Sequence, residues 1–454
     1  MGHPQRPQRR VRRRRYPRQR RPRPGNRVQH LPDRPPGNLV TGQATAYTHH
    51  AAQNAPRRLG RRGAFWAAAS VLALALWSSG APSVLYPIYA EKWDLTPVMV
   101  TSVFATYQLA LIVVLPLFGN LSDLFGRRRI MITGTALIGA SALVFTFAPH
   151  VAYLYAGRVL QGAGAGLAMG AATASLIENN TTSSPRFAST TATVATSTGL
   201  TLALFLSGLC AEYLPLPLVW SYIVLLALAA TSITALLLSH DDRPPAKSRW
   251  QPLSPFVPAG IRTGFVIATL SVALAYCVGA IFLSLGAHMI DQFTHTNNTA
   301  IIGTLLATSS AFIGITGLFL ARFNALTLIW VGVGLTLVSL AIMATASEFQ
   351  SLPLFLTWCV IGGIAYSLAF TGGLGLINRL APEHHRGATL SLLYLIAYTL
   401  QAVTAIGIGA LATTTNLGTA VGAAAIALTV LSATVAVLLL ADRRTPPHTE
   451  PASS

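Results

Sequence analysis

Twelve long apolar runs recur along this chain of 454 residues, and they constrain its fold more than any other feature. A helix that crosses the hydrocarbon core of a bilayer needs about 20 mostly apolar residues. The runs cover residues 64–90, 98–118, 130–148, 152–177, 187–211, 217–239, 263–290, 299–321, 325–346, 353–377, 387–412 and 418–441. Arg158 is the only Asp, Glu, Lys or Arg inside them. Buried helices of a soluble protein would explain one such run but not twelve, so the sequence predicts an all-α membrane protein with twelve transmembrane helices.

The strongly positive charge of the chain is concentrated at its N-terminus. Residues 1–63 contain 17 arginines and one acid, Asp33, and so supply +16 of the formal net charge of +19. This tail has no apolar periodicity, which predicts disorder. We expect contact with anionic lipid at the membrane surface, or translation that starts later, near Val40. Nucleic-acid binding is not expected, since no folded binding module accompanies the arginines.

The remaining basic residues predict the orientation in the membrane. If the N-terminus is cytoplasmic, the cytoplasmic segments beyond residue 63 hold 13 arginines and lysines, whereas the outer loops hold Lys92 alone. Basic residues accumulate on the cytoplasmic side of membrane proteins. The sequence therefore predicts a multi-pass protein of the plasma membrane with both termini in the cytoplasm.

A polar, proline-containing connection divides the twelve spans into two groups of six, and a shift of 200 residues aligns parts of the two groups. Gly162 then matches Gly362, and Arg186 matches Arg386. This pattern favours a duplication with parallel halves and a central site. The predicted organisation is a cytoplasmic tail at 1–63, a six-helix bundle at 64–239, a cytoplasmic linker at 240–262, a second six-helix bundle at 263–441 and a cytoplasmic tail at 442–454.

The turn between the second and third runs reads "GNLSDLFGRRR", residues 119–129, and is unusually charged for this chain. Gly119 and Gly126 allow a tight turn. Asp123 can pair with Arg127 or Arg128, and a pair that exists in one conformation only would act as a latch. The alternative is an arginine cluster that only stops membrane insertion, with an incidental aspartate.

This turn resembles the signature of the major facilitator superfamily, G-x-L-x-D-R-x-G-R-R/K-x, and it follows the second span as in that family. Leu124 departs from the pattern, because the family usually has a basic residue there. A second stretch, "LYAGRVLQGAGAG" at residues 154–166, resembles the fourth-helix pattern L-x-x-x-R-x-x-Q-G-x-G of the same family. With the plan of six plus six spans, the resemblance covers roughly residues 64–441. It implies the fold of two pseudo-symmetric six-helix bundles, in a drug-efflux-like protein or a general permease.

The resemblance also implies a conformational latch. Its residues would be Gly119, Asp123, Gly126, Arg127 and Arg128, together with Glu178 at the cytoplasmic end of the fourth span. In the family, the aspartate would also face the N-terminus of the eleventh helix, here near Gly387. These contacts would close the cytoplasmic side while the cavity is open to the outside.

Arg158 is the one charge inside a span. An arginine in the membrane is costly and indicates function, unless it reaches the outer interface along its own stem. Together with Gln161 and Gly162 of the same motif, it is a candidate for transport or coupling. Gly162 also belongs to a cluster of small residues that close helix packing would use.

Neutral polar groups are the remaining candidates for a central cavity. They can bind a substrate or bond one another between helices. The candidates are Trp77, Tyr107, Gln108, Tyr276, Tyr366, Tyr398 and Gln401. Because such a cavity would lack charged partners, it suits a neutral or amphipathic molecule. The sequence indicates no metal or cofactor site.

The predicted function is secondary active transport of small molecules by alternating access, in the direction of export and by a monomer. The fifth span reads "GLTLALFLSG", so Ala203-Leu204 stands where drug antiporters of the family usually have Gly-Pro. Uptake of a nutrient or metabolite is therefore an alternative, and a membrane sensor or scaffold that transports nothing is a further one. An enzyme is not expected, and no phosphate-binding loop ending in Gly-Lys-Ser/Thr supports ATP-driven pumping.

Overall fold

A computed structural model describes residues 59–119, 121–239, 256–294, 298–382 and 385–444 of the chain. The expectations for the arginine-rich tail, namely disorder, lipid contact and a start near Val40, fall outside these residues.

Twelve long helices account for nearly all of the described residues, as the apolar runs predict. They are α1 Arg61–Trp93, α2 Pro97–Phe118, α3 Arg127–Thr146, α4 Val151–Glu178, α5 Pro185–Tyr213, α6 Trp220–Leu238, α7 Arg262–Thr294, α8 Thr299–Phe319, α9 Ala325–Glu348, α10 Leu352–Leu380, α11 Arg386–Thr414 and α12 Leu417–Arg444. Each is long and apolar enough to cross a membrane. The predicted all-α fold with twelve spans is confirmed.

The helices pack as two groups of six with corresponding arrangements. In the first half α1 packs against α4, α5 and α6, and in the second half α7 packs against α10, α11 and α12. These two central helices are also the most enclosed of the twelve. The halves meet where α5 packs along α8 and α11 packs along α2. A space enclosed between the halves is therefore bordered by helices of both.

Glycine permits close helix contacts within each half. A Cβ atom on Gly164 of α4 would lie 2.5 Å from the carbonyl oxygen of Gly134 in α3. In the second half, a Cβ atom on Gly332 of α9 would lie 2.7 Å from the backbone nitrogen of Ala369 in α10. Helix backbones in membranes approach this closely only through small residues.

Successive helices run in opposite directions, so the helix ends gather at two ends of the bundle. We call one end the basic face, because Arg61, Arg127, Arg186 and Arg379 lie there. We call the other the opposite face, where Lys92 ends α1.

Candidate functional site

A cavity of about 250 Å³ lies between the two halves, and six of the seven predicted cavity residues line it. The first half contributes Tyr107 and Gln108 from α2, and the second contributes Tyr276, Tyr366, Tyr398 and Gln401. Trp77 does not line it and is buried in the packed interior of the first half. That part of the prediction is corrected: on α1, a helix enclosed on most sides, an indole can face other helices as readily as the cavity.

Other lining residues escaped the sequence analysis. They are small hydroxyl or apolar residues for the most part, and include Ser79, Thr193, Ser197, Ser309, Trp358 and Phe370. Serine and threonine are frequent throughout these spans and give no distinguishing signal. Among the described residues, no Asp, Glu, Lys, Arg or His lines the cavity. The cavity wall is therefore hydroxyl, amide and aromatic in character.

Arg158 lies behind this wall and is fully buried. Its Nε donates to the hydroxyl of Tyr86 at 3.2 Å, and its Nη2 donates to the same hydroxyl. Nη1 donates to the carbonyl oxygen of Ser79 at 3.1 Å and to Oε1 of Gln161 at 3.0 Å. The guanidinium also lies 5.9 Å from the ring centre of Tyr107. It is held by neutral acceptors within the interior of the first half.

The other two residues of this motif have different surroundings. Gln161 is buried, accepts the bond from Arg158, and leaves its own Nε2 without a hydrogen-bond partner. Gly162 lies against α2, where an added methyl group would collide with the backbone of Tyr107. Neither residue lines the cavity. Gln161 thus orients Arg158, and Gly162 brings α4 close to α2.

Aromatic rings form the second-half wall of the cavity. The ring of Tyr276 lies 6.4 Å from that of Tyr366 and 5.8 Å from that of Phe370, with planes 21° and 18° apart. Tyr366 and Phe370 are themselves 6.0 Å apart at 27°. We call these three nearly parallel residues the aromatic wall. Tyr398 adjoins it, with its ring 4.9 Å from that of Tyr276.

The halves are sealed together at the opposite face. Glu212 at the end of α5 accepts hydrogen bonds from the backbone nitrogen and the hydroxyl of Thr299, at 2.8 and 3.0 Å. Correspondingly, Thr413 near the end of α11 accepts a hydrogen bond from the backbone nitrogen of Val98 at 3.0 Å. A Cβ atom on Gly208 would lie 2.5 Å from the carbonyl oxygen of Thr299. The hydroxyl of Thr299 also donates to the carbonyl oxygen of Gly208 at 3.3 Å. Sequence analysis did not identify these contacts between the halves.

The predicted latch residues lie at the basic face. Arg127 pairs with Asp123 at 2.5 Å and with Glu178 at 3.6 Å, and donates to Ser122. Arg128 donates instead to the carbonyl oxygen of Leu237 at the end of α6, at 2.5 Å.

The two turn glycines differ in their backbone conformation. Gly126 has φ 92°, which favours glycine, whereas Gly119 has ordinary helical angles. Across the described residues, no hydrogen bond or ion pair joins Asp123 to α11, and a Cβ atom on Gly387 would meet nothing within 4 Å. The expected contact near Gly387 is absent in this conformation, because the halves are joined at the other end.

Twelve membrane-length helices in two halves, with a cavity between them, define a multi-pass membrane transporter. The family model of the Major Facilitator Superfamily matches residues 66–347. That is more than half of the chain, and the protein belongs to this family. The resemblance noted in the sequence is thereby confirmed, and the family is one of transporters rather than enzymes.

Curated relatives match over shorter segments. The Lincomycin resistance protein of Streptomyces lincolnensis is 34% identical over 133 residues, which are 29% of this chain and 27% of that protein. The Bacillibactin exporter of Bacillus subtilis is 34% identical over 84 residues, 17% of this chain and 21% of that protein. Multidrug resistance protein 2 of the same species is 28% identical over 142 residues, 31% of this chain and 36% of that protein. The chain thus matches about a third or less of each relative.

Solved structures share the fold over most of the chain. A bacterial homolog to the human lysosomal transporter Spinster, in an inward-facing conformation, superposes with a TM-score of 0.66 at 15% identity, covering 84% of this chain and 97% of that one. A nucleoside transporter superposes with a TM-score of 0.68 at 12% identity, covering 83% and 99%. At these identities the likeness establishes the fold.

Proposed function

We propose that the protein is a secondary active exporter of small neutral or amphipathic compounds that works by alternating access. The observation that carries this proposal is the cavity, which is lined by both halves and to which the described residues contribute no charged side chain. Rocking of two parallel halves about such a site exposes it to each side in turn. A substrate or ion must bind the two states unequally to drive that motion.

The arrangement that is sealed at the opposite face would be one of the two states of the alternating-access cycle. Both termini are proposed to lie in the cytoplasm of a plasma-membrane protein, so the seal formed by α5 with α8 and α2 with α11 would close the cavity to the outside. In the alternate state, Asp123 of the cluster that it forms with Arg127 and Glu178 would meet the N-terminus of α11 near Gly387 and close the basic face instead. We assign Gly119, Gly126 and Arg128 the role of shaping that turn, and we propose that one chain suffices for transport.

The direction of transport is inferred from the relatives. Their names describe resistance to an antibiotic, resistance to several drugs and export of bacillibactin. All three match parts of the chain only, but all three point to outward movement.

Uptake is the second candidate. A nucleoside transporter and a proton-dependent oligopeptide transporter share the fold, and Ala203-Leu204 replaces the Gly-Pro that drug antiporters usually carry.

The test expresses the chain in a host that lacks its own efflux pumps and screens survival across many toxic compounds. Export predicts resistance to a subset of compounds and their accumulation in everted membrane vesicles, both lost in Asp123→Ala. Accumulation in right-side-out vesicles only would establish uptake. Failure to move any compound, in vesicles that contain the folded protein, would favour a sensor or scaffold.

Orientation is tested separately with a peptide tag in the linker 240–262. A tag reached only after the cells are permeabilised agrees with cytoplasmic termini. A tag reached in intact cells reverses the orientation.

A further inference from the structure

The charge of Arg158 is not balanced by any acidic side chain among the residues that the structure describes. Its acceptors are two hydroxyl or carbonyl oxygens, from Tyr86 and Ser79, and the amide oxygen of Gln161. The ion pairs found in the described residues both involve Arg127 at the basic face. A buried cation with neutral partners keeps its electrostatic attraction for an anion, because little solvent screens it.

That charge lies one side chain away from the cavity. Ser79 accepts a hydrogen bond from Arg158 and lines the cavity, and Tyr107 holds its ring 5.9 Å from the guanidinium and also lines the cavity. Gln108 follows Tyr107 on the same wall. We call Ser79, Tyr107 and Gln108 the polar wall. A ligand group that touches the polar wall is therefore close to a positive charge, and no acidic side chain of the described residues lines the cavity.

The aromatic wall faces the cavity from the second half. Tyr276, Tyr366 and Phe370 present nearly parallel rings. Flat apolar ligands stack favourably on such rings. A volume of about 250 Å³ lies below the usual ~300–1,000 Å³ of ligand pockets, which favours a small ring system.

Two residues that line the cavity each carry a buried polar atom without a hydrogen-bond partner in the described structure. The atoms are Nε1 of Trp358, a donor, and Oε1 of Gln401, an acceptor, and both side chains are more than nine-tenths buried. Buried polar atoms are normally satisfied.

We infer that the cavity selects small aromatic monoanions, such as aryl carboxylates, whose acidic group faces the polar wall in front of Arg158 and whose ring lies on the aromatic wall. This rests on the proposed transport function and narrows its amphipathic substrates to anionic ones. The competing occupant is an organic cation held over the tyrosine rings by cation–π attraction. The unbalanced charge of Arg158 opposes that occupant, and none of the acidic residues that the structure describes lines the cavity to assist it.

The test measures binding of three ligands of matched shape to the purified full-length protein in lipid nanodiscs: naphthoate, naphthamide and naphthylmethylammonium. Calorimetry should show that the amide binds at least about tenfold more weakly than the carboxylate, since only the carboxylate gains from the buried charge. The ammonium should bind most weakly. Equal binding of carboxylate and amide, a preference for the ammonium, or no binding of naphthoate at millimolar concentration would each overturn the inference.

Variants of Arg158 and Tyr366 distinguish the contribution of charge to ligand binding from that of ring stacking. Arg158→Gln should bring the ratio of naphthoate to naphthamide affinity close to one, whereas Arg158→Lys should retain a preference for the carboxylate. Tyr366→Leu should raise the dissociation constants of both ligands and leave their ratio unchanged, whereas a general loss of folding would lower the number of binding sites instead. An unchanged ratio in folded Arg158→Gln contradicts the inference. If Arg158→Gln does not fold, the order of the three ligand affinities for the unmodified protein decides whether the inference holds.

The outcome is separable from that of the export proposal. Binding of naphthoate without outward transport would refute export and leave the selectivity intact. Outward transport of cations with no preference for anions would refute the selectivity and leave export intact.

Discussion

Glu212 and Thr299 join the two halves of the protein at the opposite face, although 87 positions separate them in the chain. The Glu212 carboxylate accepts bonds from both the backbone nitrogen and the hydroxyl of Thr299, the first residue of α8. A carboxylate at this position satisfies a free N–H group and also faces the positive end of a helix. Thr413 caps α2 from α11 in the same manner. The seal thus consists of two corresponding contacts between the halves. The acceptor is a charged carboxylate in one and a neutral hydroxyl in the other.

Glu212→Ala should open the opposite face more often. Hydrogen bonds to a charged group that water reaches contribute about 1 kcal/mol, so the ratio of open to sealed states should rise roughly fivefold. Spin labels on Tyr213→Cys and Ile301→Cys, at exposed ends of α5 and α8 and in a background without the native cysteines, should report a larger population at long distance. Glu348→Ala is the matched control, because Glu348 is an exposed acid that ends α9 at the same face. An equal shift in both variants would contradict a specific role for Glu212.

Arg127→Gln should slow transport without lowering stability much. Arg127 links Asp123 to Glu178, but all three side chains are partly exposed, and such pairs contribute at most ~1 kcal/mol to folding. The initial rate of transport in vesicles and the melting temperature should therefore respond differently. Arg129→Gln is the control, since the Arg129 side chain is exposed on the same turn. Equal loss of rate in the two variants would show that only total charge matters.

Gly164→Ala should destabilise the first half. Its new methyl group would lie 2.5 Å from the carbonyl oxygen of Gly134, so α3 and α4 must separate. Overpacking of this kind typically costs about 1–3 kcal/mol, visible as a lower melting temperature in detergent. Gly170→Ala on the same helix has open space and should melt at or above the original temperature. A result in which Gly170→Ala melts lower than Gly164→Ala would refute this packing argument.

Tyr86→Phe should destabilise the protein by removing the hydroxyl that accepts two N–H groups of Arg158. Leaving donors of a buried charged group unsatisfied costs about 1–3 kcal/mol or more. Thermal unfolding of the purified protein measures this loss. Tyr153→Phe, at an exposed position of α4, should leave the melting temperature unchanged. Retention of full stability in Tyr86→Phe would mean that Arg158 finds another acceptor.

Several predictions from sequence succeeded because they depend on residues that are adjacent in the chain. Each apolar run corresponds to one helix, and the two motifs led to the correct family. The motif positions of Asp123 and Arg127 also come together, since they lie one turn apart. Arg128, one residue further on, points to Leu237 instead, a partner more than 100 positions away.

The cavity was only partly predictable. Tyr107 and Gln108 line it, whereas Trp77, an equally plausible candidate from sequence, is enclosed by other helices. Ser309 and Trp358 line it without any sequence signal. Which side of a helix faces the cavity depends on the rotation of that helix against its neighbours.

The sequence by itself determined that this chain spans a membrane twelve times in two halves, and it predicted which end carries the basic residues. Hydropathy and charge act through continuous segments, so they can be read in order along the chain. Only the tertiary structure decided that Arg158 has neutral partners, that three aromatic rings face the cavity, and that Glu212 seals the opposite face. Those properties depend on contacts between helices that are distant in sequence, and such contacts exist only once the helices have packed.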